Sequence, residues 1–161
     1  MTSFPDSGPP SGAGTSLETW TFPPGFGVPG AAGAYAHATS LGSTLYVTGQ
    51  LPVDPATGQL IDGDITAQTN QVMANLARVL ELTSSSLSLV VQARSFLRFE
   101  EDFSAYNEAY RAWFPLRLPS RTTVVVSGFA IPDALVEIDL VALRELVTQA
   151  EVSPPEPTPG Q

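Results

Sequence analysis

The sequence predicts an α+β domain in which one mixed sheet carries two helices on one of its faces. Three observations lead there. The elements read in the order β-β-α-β-α-β-β, both helical stretches space their apolar residues three and four apart, and the last strand alternates an apolar row with a partly charged one. With 161 residues, 43% hydrophobic and 14% charged, the chain has material for one domain with a real core.

Residues 1–33 hold six prolines and seven glycines with little apolar periodicity, and read as a flexible arm from which Trp20, Phe22 and Phe26 can pack onto the domain. Inside it, Gly25-Phe26-Gly27-Val28-Pro29-Gly30 matches the bare pattern G-x-G-x-x-G. Two prolines precede it where a strand should stand, and Pro29 interrupts the turn where a helix should begin. The match reads as chance. The domain is expected over 34–146. Residues 34–40 and 44–50 read as a hairpin around Leu41-Gly42-Ser43, and 51–63 as a loop. A helix follows over 64–82, with Asp64 as its N-cap and Ile65, Thr69, Val72, Leu76, Val79 and Leu80 on one face. A third strand is expected over 89–99. The second helix, over 101–114, carries Phe103, Tyr106, Tyr110 and Trp113 as a core stripe and ends at Pro115. Strands over 121–129 and 135–144 read as a closing hairpin. Residues 147–161, with four prolines among the last nine, read as a Pro-rich disordered tail.

Composition narrows the chemistry. The chain has no lysine, all seven cations being arginine, which excludes a lysine Schiff base and the P-loop lysine. It has no cysteine, and one histidine, His37, so thiolate catalysis and a histidine-rich metal site within one chain are excluded. A net charge of −9 without any arginine cluster argues against a nucleic-acid partner. No apolar run approaches the roughly 20 residues of a membrane span, and no signal sequence opens the chain. A soluble, cytoplasmic protein is the expectation.

The closing pair of strands holds the candidate chemistry. Arg121 opens the first, directly after Pro119-Ser120, and Glu137 lies early in the second within an otherwise apolar run. On the last strand Val136, Ile138, Leu140 and Ala142 point under the helices, while Glu137, Asp139 and Val141 point away. The strand pattern puts both Arg121 and Glu137 on the face away from the helices. That face is too apolar for open solvent and too charged for a core, which points to self-association with the pair in or beside an interface cleft. A guanidinium fork suits a small carboxylate, and a glutamate can move protons. Asp139, about 7 Å along from Glu137, reads as a solvated or interface residue. Tyr35 suits core or pocket equally, and His37 suits packing or an interface.

The runs Gly33-Ala34-Tyr35, Leu45 to Pro52, Phe103-x-x-x-Asn107-x-x-Tyr110-x-x-x-Phe114, Pro119-Ser120-Arg121 and Val136-Glu137-Ile138 recur in one order over about residues 33–145. In them the sequence resembles the RidA (YjgF) family of reactive-intermediate deaminases. The resemblance implies a chorismate-mutase-like fold and a homotrimer with three clefts between subunits. It further implies hydrolysis of 2-imino and enamine acids, such as 2-aminoacrylate and its imine tautomer, to 2-keto acids and ammonia. Because the imine carbon is already electrophilic, neither cofactor nor metal is required. On this reading Arg121 binds the substrate carboxylate and Glu137 activates water. Tyr35 and Asn107 line the cleft, and Gly49, lacking a side chain, lets the substrate approach the backbone. The chain departs from the family in having Thr123 where a cysteine is frequent, Ala34 where a proline is, and a longer 127–132 turn. Three alternatives stay open: a non-catalytic ligand-binding trimer, a hydrolase acting on a related imine, enamide or carbamate, and, ranked last on charge, RNA cleavage.

Overall fold

The computed structural model, which describes residues 16–145, has the expected order of elements with one further strand in front. These are β1 (Leu17–Trp20), β2 (Ala38–Leu41), β3 (Thr44–Gln50), α1 (Ile65–Leu82), β4 (Val90–Leu97), α2 (Phe103–Ala112), β5 (Ser120–Val125) and β6 (Val136–Leu143). They form one six-stranded sheet in the order β1-β2-β3-β6-β4-β5, antiparallel except for the parallel β4–β5 pair. Residues 1–15 and the expected tail from 147 onward lie outside the described residues.

Helix α1 starts where Asp64 accepts a hydrogen bond from the amide of Ala67 at 2.9 Å, satisfying one of the orphan donors of its first turn. All six residues expected on its inner face are buried. They meet the even-numbered row of β6, whose Val136, Ile138, Leu140 and Ala142 are also buried, so the core lies between the helices and one sheet face. In α2 the stripe is narrower than expected. Tyr106 and Tyr110 are buried and Trp113 partly so, but Phe103, the first residue of the helix, is 46% exposed. Among the described residues no helix is long and apolar enough to cross a membrane.

Two expectations are corrected. The proline- and glycine-rich segment 1–33 is not an arm throughout, because Leu17–Trp20 pairs along β2 and Phe22 and Val28 are buried. A strand of four residues in such a composition is held by tertiary contacts rather than by propensity. Arg144 reaches Glu18 at 2.6 Å and covers the Trp20 ring at 4.8 Å. His37, buried, accepts from the Phe22 amide at Nδ1 (3.1 Å) and meets the Pro29 carbonyl through Nε2 (2.8 Å), so the loop 22–29 wraps around it. All but the last residue of the G-x-G-x-x-G match lies in that loop, and Arg78 of α1 donates to the Phe26 carbonyl at 2.8 Å, which makes it a packed loop rather than a strand-to-helix turn.

The second correction concerns β5 and β6, which are not a hairpin. β4 lies between them, parallel to β5 and antiparallel to β6. The reason is the β4–α2–β5 unit: a helix joining two strands favours a parallel crossover, and β6 then enters between β3 and β4. The sheet face away from the helices exposes Leu17, Leu41, Tyr46, Val124 and Leu143 around the Arg94–Asp139 ion pair.

Candidate functional site

Arg121 sits at the start of the edge strand β5, level with the small residue Ala93 of β4, which is itself level with the inward-facing Leu140. That register directs the guanidinium to the α2 side of the sheet. There Nη2 donates to Asn107 Oδ1 at 2.8 Å, and the guanidinium carbon lies 4.6 Å from the Tyr110 ring centre and 5.2 Å from that of Tyr106. Asn107 and the two tyrosines share one face of α2 through their three- and four-residue spacing, so a single helix supplies both the shelf and the clamp. Tyr106 is fixed in turn by donating to Ser95 of β4. Burial, above all, holds both tyrosine hydroxyls above their usual range, so neither becomes an anion facing the arginine. The ion pairs among the described residues are Arg78–Glu81, Arg94–Asp139 and Arg144–Glu18, and Arg121 is in none of them. Beside it is a hollow of about 210 Å³ also lined by Asn107, Tyr110, Leu118 and Pro119. A positioned guanidinium with unspent donors can take a carboxylate bidentately.

Glu137 belongs to a second group on the opposite face. Between Val47 and Gln50 the β3–β6 register slips by a residue, and this bulge brings Gly49 against the Glu137 side chain. A Cβ at Gly49 would overlap the carboxylate and stand 3.0 Å from its Cδ, so glycine is required for Glu137 to lie where it does. Burial first, and the charge of Asp139 second, raise the Glu137 carboxyl above its ordinary range. Asp139 itself is paired with Arg94 at 2.8 Å and so does not form an acid/base couple with Glu137. Next to Gly49 a cavity of about 300 Å³ opens, bordered by Tyr35 and His37. Tyr35 is 46% exposed and its hydroxyl accepts from the Ala32 amide at 3.1 Å, so it is a pocket residue and not core. Among the described residues no group of three or more His, Asp or Glu side chains gathers as a metal site would.

The five candidate residues thus fall into two groups within the chain: Arg121 with Asn107, and Glu137 with Gly49 and Tyr35. The expectation that Arg121 and Glu137 share a face is corrected. Glu137 is level with Phe96, three residues from the Arg121 level, and one strand intervenes. Their backbones are therefore about 10 Å apart across the sheet and about 10 Å along it, on opposite faces. Parity could not be read from β5 alone, because it is an edge strand whose two rows are both partly exposed. Tyr106 and Tyr110 were legible as an aromatic pair but not as the shelf under Arg121. The Gly49–Glu137 contact carries a test. Gly49→Ala is expected to lower any activity that depends on the Glu137 carboxylate by about tenfold or more, since misplacement by about 1 Å can cost about a hundredfold. Its melting temperature should stay within a few degrees of wild type, because a flexible side-chain tip moves rather than backbone; a large loss of stability with unaltered catalysis would refute this.

The family model described as Endoribonuclease L-PSP matches residues 27–144, from within the His37-bound loop to just past the end of β6, and leaves β1 outside. The chain is a member of the RidA (YjgF) family. A RutC family protein of Pyrococcus horikoshii is 38% identical over 70% of this chain and 89% of its own length. The 2-iminobutanoate/2-iminopropanoate deaminase of Capra hircus is 34% identical over 77% of this chain and 90% of its own. The crystal structure of RidA from the Antarctic bacterium Psychrobacter sp. PAMC 21119 superposes with a TM-score of 0.68, at 34% identity, over 73% of this chain and 94% of that one. The RidA-family match begins at residue 27, within the packed loop.

Proposed function

We propose that this RidA-family protein hydrolyses 2-imino acids, and the enamines that tautomerise to them, to 2-keto acids and ammonia. The observation that carries the reading is Arg121, a guanidinium held by Asn107 and two aromatic rings with no carboxylate of the described chain paired to it. Its natural complement is a small carboxylate. The raised carboxyl of Glu137 supports a proton-transfer role, since a group titrating nearer neutrality both accepts and returns protons efficiently.

In the step we derive, water adds through oxygen to C2 of the iminium while the Glu137 carboxylate takes one of its protons. Glu137 then gives that proton to the nitrogen of the carbinolamine. The hydroxyl oxygen closes to a carbonyl as the C–N bond breaks and ammonia leaves, and its proton passes to Glu137 and on to solvent. Iminium and water become 2-keto acid and ammonium, with charge and atoms conserved. Arg121 holds the carboxylate throughout and orients C2 toward the attacking water.

Because the two groups lie on opposite faces of one sheet, we propose that a complete site forms between subunits of a homotrimer, Arg121 from one and Glu137 with Gly49 and Tyr35 from another. The position of Arg121 on an edge strand and the apolar patch on the open sheet face support this. The net charge of −9 and the absence of lysine favour this reading over cleavage of RNA. The direct test is to generate 2-aminoacrylate in situ with semicarbazide present and follow the semicarbazone. The protein should suppress its formation catalytically at substoichiometric concentration. Suppression only in proportion to protein added would indicate a ligand-binding protein instead.

A further inference from the structure

Resting on the deaminase reading, we propose that the site prefers 2-imino acids with an aliphatic side chain over those with a small or polar one, and that Ile131 bounds the pocket that takes it. The cavity of about 300 Å³ beside Gly49 is the place for that side chain. Gly49 joins it to the chemistry, since one side of this residue lies against the Glu137 carboxylate and it also forms part of the cavity wall. On this proposal a carbon attacked at Glu137 places its substituent in the adjoining cavity.

The wall decides what that substituent is. No aspartate, glutamate or arginine lines it, and Leu51, Val53, Ala130 and Ile131 give it aliphatic surface. Its polar side chains each already make a contact with the backbone. Tyr35 Oη accepts from the Ala32 amide, both His37 nitrogens meet the backbone at Phe22 and Pro29, and the Gln50 amide donates to the Thr48 carbonyl. A polar substrate side chain would leave water and find few partners, whereas an aliphatic one buries its surface without loss. Ile131 also lines a neighbouring cavity of about 600 Å³, which contains Arg98, Asp62 and Asp133. It comes from the turn between β5 and β6 and is the partition between an apolar chamber and a charged one.

The test uses the full chain and imines formed in situ by an amino-acid oxidase from alanine, leucine, asparagine and phenylalanine, with semicarbazide as competitor. Leucine and asparagine side chains are nearly isosteric, so their comparison isolates polarity. The leucine-derived imine should exceed the alanine-derived and asparagine-derived ones in kcat/KM by about tenfold or more, in line with pocket discrimination of methylene groups. Ile131→Ala should raise the phenylalanine-to-leucine ratio about tenfold, and Ile131→Trp should lower the leucine-to-alanine ratio. Equal rates for all four, or a preference for asparagine, would overturn the inference while leaving the deaminase reading intact. If no imine is turned over, calorimetry with the matching 2-keto acids separates the two claims. Tighter binding of 4-methyl-2-oxopentanoate than of pyruvate would uphold the pocket and remove the catalysis, and equal binding would remove both.

Discussion

Arg121→Ala is expected to reduce kcat/KM for a 2-imino acid by about 10²- to 10³-fold, the range for truncating one partner of a buried, hydrogen-bonded charge pair. Arg121→Lys should recover only a small part, because an ammonium offers no planar fork and stacks less well on Tyr106 and Tyr110. Both variants should fold, since Arg121 lies on an edge strand and forms no ion pair within the described chain. Binding of a 2-keto acid, read by calorimetry, should weaken in parallel. Unchanged binding with lost turnover would take Arg121 out of carboxylate recognition.

Glu137→Gln should lower kcat by about 10²- to 10⁴-fold, the usual contribution of a positioned general base, while leaving 2-keto-acid binding nearly intact. Its pH dependence has a definite sign. Glu137 acts as a base only when ionised, and its carboxyl is raised by burial and by Asp139, so kcat/KM should fall with acidity on a limb lying above the ordinary carboxylate range. Asp139→Asn removes one of the raising charges and leaves Arg94 unpaired nearby, so the limb should move to lower pH. A limb at the ordinary glutamate value, unmoved by Asp139→Asn, would place the proton transfer elsewhere. The same raised carboxyl makes the folded state hold a proton that the unfolded chain has lost. Stability should accordingly decline as pH rises from the ordinary value through the raised one, and Glu137→Gln should flatten that slope.

The two variants together test the shared site. Mixing Arg121→Ala chains with Glu137→Gln chains under conditions that allow subunit exchange should restore part of the wild-type activity. Each mixed assembly then contains at least one cleft with an intact arginine facing an intact glutamate. If mixed samples stay as inactive as their components, Arg121 and Glu137 do not meet across an interface.

Local signals carried much of this protein into view. Periodicity located α1 with its inner row and its Asp64 cap, and alternation assigned the rows of β6, because each depends on side chains close in sequence. The absence of lysine and cysteine, the presence of a single histidine, and Arg121 and Glu137 as candidates were equally plain. Pairing was not. Whether β5 lies beside β6 or is separated from it by β4 depends on contacts among distant segments, and that choice reverses the face to which Arg121 belongs. The same holds for Leu17–Trp20, a strand only because β2, Arg144 and His37 hold its surroundings, and for Gly49, whose role appears once the β3 bulge sets it under Glu137. One chain's sequence names the arginine and the glutamate; the sheet order sends them to opposite faces, because a helix-linked crossover makes β4 and β5 parallel and leaves β6 to pair on the far side of β4.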